Sequence, residues 1–123
     1  MKILFYDTKS YDREFFEKLL PSYPGIEIKF IEANIHEETA ALAHGYDAIC
    51  AFVNADLGAP VIEELHRQGV KLILMRCAGY NNVDLETTAK CGIQVARVPG
   101  YSPEAVAEHA MALALTANRH THK

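Results

Sequence analysis

Apolar runs of strand length alternate with segments of helical periodicity along the chain. Five runs have the length of buried strands: residues 2–6, 27–31, 47–52, 71–75 and 94–98. Such near-continuous apolar strands need cover on both faces, which is typical of a parallel sheet with helices on either side. The pattern therefore predicts an α/β protein with a flavodoxin-like, doubly wound parallel sheet of about five strands.

The segments between these runs carry helix start and stop signals. The predicted helices are residues 11–20, a weaker alanine-rich segment at 37–44, 60–68, 85–91 and a long C-terminal helix at 103–119. In the first helix, one stripe is expected to hold Phe15, Phe16, Leu19 and Leu20. Asp84 is placed to cap the helix that follows it, and Gly92 to end that helix.

The last predicted helix differs from the others because small and apolar residues surround it almost completely. A helix on the surface of a single domain would show one polar face. We therefore expect residues 103–119 to form an interdomain or dimerisation helix, with a homodimer as the expected assembly.

Composition narrows the class of protein. The 123 residues are 50% hydrophobic, which suits one domain with a single core, spanning residues 1–123. A net charge of -4 without a basic cluster argues against nucleic acid as a partner. Three widely spaced cysteines indicate no disulfide framework and favour the cytoplasm. No apolar run reaches the length of a membrane span, and the N-terminus does not have the pattern of a signal peptide.

Two segments carry candidate chemistry. The loop at residues 76–84 follows an apolar strand and leads into a helix, where an open α/β sheet places its ligand. Within it, Ala78 and Gly79 could turn successive backbone N–H groups toward an anion, although a plain turn that uses glycine for its geometry explains them as well. Arg76 could face a carboxylate or pair with Asp84, and we favour the structural role.

The second segment, residues 98–109, repeats this arrangement of strand, turn and helix. Tyr101 follows a Pro-Gly turn, so its hydroxyl could donate a hydrogen bond to the same anion. Ser102 is expected to cap the last helix, and His109 to be a partly buried helix residue rather than a catalyst. Neither Asp7 nor the terminal His120 and His122 is expected to form a phosphorylation or metal site.

On the residues of these two segments, the chain resembles the D-2-hydroxyacid dehydrogenase family, and within it the D-lactate dehydrogenases. The resemblance implies a flavodoxin-like substrate domain in which the amides of Ala78 and Gly79 hold the substrate carboxylate. It also implies that Tyr101 adds a hydrogen bond and that Phe52 borders the substrate side chain. The implied substrate is a small 2-oxoacid or 2-hydroxyacid, and the implied cofactor of the whole enzyme is NAD.

The resemblance further implies that catalytic and cofactor-binding residues lie beyond Lys123, because no G-x-G-x-x-G sequence occurs in the chain. The chain is thus expected to be a truncated substrate-binding segment that lacks the Rossmann domain, binds no cofactor or metal and is inactive alone. Two alternatives remain open. One is a free-standing flavodoxin-like binding or regulatory module, and the other is an interaction protein that acts through its last helix.

Overall fold

The structure is a computed structural model that describes residues 1–100 and 103–119. In chain order, its strands and α-helices are β1 (Lys2–Phe5), α1 (Ser10–Leu19), β2 (Glu27–Phe30), β3 (Ala48–Ala51), α2 (Ala59–Arg67), β4 (Leu72–Met75), α3 (Leu85–Cys91), β5 (Gln94–Arg97) and α4 (Pro103–Arg119). Short 3-10 helices occur at Leu20–Ser22 and Ala40–Ala43.

The strands form one parallel sheet in the order β2-β1-β3-β4-β5. This is the flavodoxin-like order, so the predicted α/β class, the parallel sheet and the strand number are confirmed. The chain adds β2 on one side of β1 and β3 on the other. The strand order therefore reverses between β1 and β3, where an open sheet leaves a crevice at its carboxyl end.

One side of the sheet, which we call the closed face, is packed against α2 and α3. Strand residues such as Leu4, Ile49 and Ile73 form a continuous buried cluster there with side chains of α2: Val61, Ile62 and Leu65. All three α2 side chains have zero exposure. Burying each such side chain contributes about 1.5–3 kcal/mol before entropy costs, so most of the packing energy lies on this face.

The other side, which we call the open face, has a smaller buried cluster. It contains Ile3, Phe5 and Cys50 from the strands, and Phe16 of α1 packs against them. The rings of Phe5 and Phe16 meet edge to face at 4.9 Å between centroids. On the same face, Leu72 and Leu74 of β4 are only half-buried.

Two predictions about helices were wrong. Residues 37–44 contain a 3-10 helix at Ala40–Ala43 instead of an α-helix. The Thr39 hydroxyl there accepts the His36 N–H and donates to the Asn34 carbonyl, so local side-chain bonds compete with a regular helix. In α1, the four expected residues do not share a buried stripe. Phe16 and Leu20 are half-buried, while Phe15 and Leu19 are 63% and 57% exposed.

The predicted ends of α3 are confirmed. The Asp84 side chain accepts a hydrogen bond from the Thr87 N–H at 3.1 Å, and Gly92 ends the helix in the left-handed conformation with φ of +69°. None of the helices in the described part of the chain is long and apolar enough to cross a membrane.

Candidate functional site

The carboxyl ends of β1, β3 and β4 surround an open cavity of about 390 Å³. It lies at the position where the strand order reverses, which is where ligands bind in open α/β sheets. Its lining is mostly polar and contains two carboxylates and two cationic side chains: Asp7, Lys9, Tyr11, Asp12, Asn34, Phe52, Asn54 and Arg76.

Phe52, one of the predicted site residues, follows β3 directly and lines this cavity. Its side chain is half-buried, and the Arg76 guanidinium carbon lies 5.3 Å from the centroid of its ring. The backbone carbonyl of Phe52 accepts a long hydrogen bond from the Asn82 side-chain amide at 3.4 Å. Phe52 is therefore held through its ring and through its backbone.

Ala78 and Gly79 lie in the loop between β4 and α3. Their carbonyl oxygens are already occupied: the Arg97 side chain donates to the Ala78 oxygen at 2.9 Å, and the Cys77 thiol donates to the Gly79 oxygen at 3.2 Å. Their backbone N–H groups, by contrast, donate to no acceptor among the residues that the structure describes. Two adjacent free amides can bind an external acceptor, and a carboxylate gives the stronger, charge-assisted bonds.

The geometry at Gly79 differs from the prediction. A nest of the usual kind needs a residue with positive φ, and Gly79 is not among the residues with that conformation. A Cβ atom built on Gly79 would meet no atom within 4 Å. The free space beside Gly79, and not a strained turn, is therefore the property that glycine contributes here.

Arg76 has the structural role that we favoured, but the predicted partner was wrong. Asp84 caps α3, and the Arg76 guanidinium donates instead to the carbonyls of Tyr6 at 3.0 Å and Asp7 at 3.1 Å. It also lies 3.9 Å from the Asp12 carboxylate. Tyr6 and Asp7 lie in the loop after β1 and Asp12 lies in α1, so Arg76 joins the end of β4 to the far side of the cavity.

Sequence reasoning missed Asn82, which joins the two loops beside the site. Its side-chain amide donates to Ala55 as well as to Phe52, and the bond to the Ala55 carbonyl is 3.0 Å long. An isolated bridge between Leu57 and Val83 continues this connection. The adjacent Asn81-Asn82 pair was the available signal, because asparagine in a loop commonly bonds to nearby backbone groups.

Three further predictions concern the second segment, residues 98–109. Tyr101 and Ser102 lie outside the described residues, so the hydroxyl assigned to the anion and the predicted cap stay predictions. His109 lies on α4 and is exposed, so the expectation of a partly buried histidine was wrong. The described side chains of α4, apolar ones included, are all exposed, so His109 shares the exposure of the whole helix.

The thiols of Cys50 and Cys77 are not activated as nucleophiles. Burial raises the pKa of Cys50 to about 11, although Arg76, 3.9 Å from its sulfur, acts in the opposite direction. Burial also raises the pKa of Cys77. Both groups therefore remain protonated at neutral pH, and Cys77 acts as a hydrogen-bond donor within the loop.

Lys9 is the exposed cation at the cavity. Its ammonium group lies 2.8 Å from the Asp7 carboxylate, and this hydrogen bond raises the pKa of Lys9. Within residues 1–100 and 103–119, no group of three or more His, Cys, Asp or Glu side chains is placed to hold a metal ion. The described residues thus offer hydrogen-bond donors that can position an anion.

Comparison with known proteins shows a family to which the chain is similar. Residues 3–121 match the profile of the family described as D-isomer specific 2-hydroxyacid dehydrogenase, catalytic domain. A curated relative, the D-lactate dehydrogenase of Escherichia coli (strain K12), is 47% identical over 123 residues. The match covers the whole of this chain but only 37% of that relative, so the chain spans little more than a third of its length.

Solved structures agree with this comparison. The apo-structure of D-lactate dehydrogenase from Escherichia coli superposes with a TM-score of 0.86 at 48% identity, over 99% of this chain and 38% of that chain. The structure of D-lactate dehydrogenase with NAD⁺ from Lactobacillus jensenii gives a TM-score of 0.74 at 28% identity, over 97% of this chain and 36% of that one.

Proposed function

Because this chain belongs to the D-isomer specific 2-hydroxyacid dehydrogenase family, we propose that it is the substrate-binding segment of an NAD-dependent D-lactate dehydrogenase. The proposed reaction of the longer protein is the reduction of a 2-oxoacid such as pyruvate to the D-2-hydroxyacid. The observation that carries the proposal for this chain is the pair of free amides at Ala78 and Gly79, in the loop whose first residue, Arg76, lines the cavity together with Phe52.

In this proposal each residue positions the substrate. The amides of Ala78 and Gly79 donate to the substrate carboxylate, and the hydroxyl of Tyr101 adds a third hydrogen bond. Phe52 borders the side chain of the oxoacid. Holding the carboxylate and the side chain fixes where the carbonyl carbon lies, which is the orientation that hydride transfer requires.

The cofactor does not fit the residues of this chain. The seven glycines form no G-x-G-x-x-G sequence, which is the sequence that holds the pyrophosphate in dinucleotide-binding domains. NAD supplies the hydride chemistry when it is bound, and we place its site and the proton-donating group in the part of the longer protein that these 123 residues do not cover. The isolated chain should therefore show no measurable NADH binding and no turnover.

Titration of the ¹⁵N-labelled chain tests the assignment. Pyruvate and its analogue oxamate should shift the amide signals of Ala78 and Gly79, with a Kd no tighter than about 1 mM, or roughly 4 kcal/mol. Replacing Tyr101 by Phe should weaken binding by about 1–2 kcal/mol without unfolding the chain. Shifts confined to other loops, or saturable NADH binding with turnover, would contradict the proposal.

Gly79→Ala provides a sharper version of the same test. The methyl group has space in the chain itself, and φ at Gly79 is not positive, so stability should stay unchanged. A ligand that closely approaches the backbone would meet the methyl group, so pyruvate binding should weaken. Gly25→Ala, also with no atom within 4 Å of the added carbon, is the matched control and should leave binding unchanged.

We also propose a homodimer formed through residues 103–119 and a cytoplasmic location. Met111 and Leu113 of α4 are 62% and 57% exposed, which favours a partner for this helix. The three cysteines are free thiols, which favours the cytoplasm. Sedimentation at micromolar concentration should give twice the mass of one chain. Leu113→Asp should reduce it to one chain, while Glu108→Gln on the same helix should not. A monomeric unmodified chain would refute the dimer.

A further inference from the structure

The Arg76 guanidinium lies over two aromatic rings at the edge of the cavity. Its guanidinium carbon is 4.3 Å from the ring centroid of Phe5 and 5.3 Å from that of Phe52. The side chain is only 12% exposed. A planar cation over aromatic faces is attracted to both, and it restricts how each ring can turn.

The polar contacts of Arg76 fix its position. Two of its nitrogens donate to successive carbonyls, those of Tyr6 and Asp7, so the guanidinium plane is set by the end of β1. Asp7 has a positive φ of +51°, which is uncommon for a residue other than glycine. Its amide donates to the Ala33 carbonyl at 2.8 Å, so the strained residue is held from both of its peptide groups.

Phe52 receives contacts from the same segment that presents the free amides. Asn82 holds its backbone carbonyl, and Arg76 lies against its ring. Ala78 and Gly79 lie between these two residues in sequence. The loop segment that contains the two amides therefore contacts Phe52 through residues on either side of them.

We infer that Arg76 is a positioning residue that fixes the Phe52 ring and thereby limits the size of the 2-oxoacid side chain. The inference rests on the proposed function, because it takes Phe52 as the border of the substrate side chain. Arg76 does not touch the substrate carboxylate in this role. Two of its N–H donors bond to the carbonyls of Tyr6 and Asp7, and in this role it acts on the substrate through the aromatic ring.

Arginine suits this role better than lysine. A lysine could donate to one of the two carbonyls and keep the charge, but its ammonium group is not planar and cannot lie flat against two rings. Arg76→Lys therefore keeps the positive charge and removes the stacking, whereas Arg76→Met removes both. Arg13 is a matched control, because its guanidinium carbon lies 5.3 Å from the Phe30 ring, at a different place on the open face.

The first measurement needs no ligand. In the chain with ¹³C-labelled phenylalanine, Arg76→Met and Arg76→Lys should shift the ring signals of Phe52 and Phe5 and leave Phe15 unchanged. Arg13→Met should shift Phe30 and leave Phe52 unchanged. Unchanged Phe52 signals in folded Arg76 variants would overturn the inference.

The second measurement compares Kd values for pyruvate, 2-oxobutyrate and 4-methyl-2-oxopentanoate from the Ala78 and Gly79 amide shifts. The preference for pyruvate should fall by about threefold or more in Arg76→Met and stay unchanged in Arg13→Met. In a Phe52→Leu background, Arg76→Met should cause no further change in this preference. A preference that is unaffected by Arg76→Met, or a further change in that background, would overturn the inference.

The two measurements also separate this inference from the proposed function. If pyruvate leaves the amides of Ala78 and Gly79 unshifted in the unmodified chain, the proposed function is wrong and the role in substrate size falls with it. If pyruvate binds there but the Arg76 variants keep the same size preference, the proposed function stands and only the role of Arg76 is wrong.

Discussion

The closed and open faces of the sheet are covered to very different extents. On the closed face, Val61, Ile62 and Leu65 of α2 have no exposed surface. On the open face, α1 contains no fully buried residue, and its Phe15 is 63% exposed. One side of the sheet therefore forms a well-packed core, and the other side is only partly covered.

The closed face supports the loop that contains the candidate site residues. The loop from β4 to α3 is tied to the closed face, since Val83 bridges to Leu57 and the Asp84 amide donates to the Leu57 carbonyl at 3.0 Å. Leu57 is fully buried in that core. The free amides of Ala78 and Gly79 are thus presented by a loop that begins and ends on well-packed structure.

The largest effect is expected from shortening one leucine on each face. Leu65→Ala should lower the free energy of unfolding by about 2–5 kcal/mol, because it leaves a cavity in a closed core. Leu74→Ala on the open face should cost less than about 2 kcal/mol, because the side chain is only partly buried. Denaturant unfolding measures both, and equal losses would contradict the difference between the faces.

A smaller effect is expected at the end of α3, the closed-face helix. Gly92 has φ of +69°, so Gly92→Ala should cost about 1–2 kcal/mol of unfolding free energy. Gly25 does not have a positive φ, and Gly25→Ala should not destabilise the chain. Thermal unfolding compares the two variants. An unchanged melting temperature in Gly92→Ala would show that the left-handed cap at Gly92 does not contribute to stability.

The smallest effect concerns the start of α3 and depends on pH. The hydrogen bond from the Thr87 amide lowers the pKa of Asp84 in the folded chain. The stabilisation is therefore complete above the unfolded pKa of about 3.9 and is lost as the pH falls through the lower folded pKa. Asp84→Asn keeps a capping side chain that does not titrate.

The melting temperature of Asp84→Asn should accordingly fall less between pH 5 and about pH 2.5 than that of the unmodified chain. At pH 7 both proteins should melt within a few degrees of each other. If the melting temperatures of the two proteins fall equally in acid, ionisation of Asp84 does not contribute to the pH dependence of stability.

Local signals predicted much of this fold. The Asp84 cap and the Gly92 stop were visible because each involves residues a few positions apart. The apolar runs predicted the strands for a similar reason, since a buried strand needs apolar residues along its whole length. The same approach failed for residues 37–44, where alanines indicated a helix and the Thr39 hydrogen bonds produced a 3-10 turn.

The sequence also predicted that the loop beginning at Arg76 lies at the carboxyl edge of the sheet, because a glycine-containing loop after a buried strand is typical of that edge. It could not predict the partners of Arg76. Those carbonyls lie 70 and 69 residues earlier in the chain, and they reach Arg76 only because β1 and β4 flank β3.

The sequence by itself therefore determined the strands, the parallel α/β class, the ends of α3 and the loop that holds Ala78 and Gly79. The tertiary structure decided which face of α1 is buried, which groups Arg76 joins and how Phe52 is held. The physical reason is range: periodicity and caps act between neighbours in sequence, whereas packing and the contacts of a half-buried arginine depend on the order in which distant strands pair.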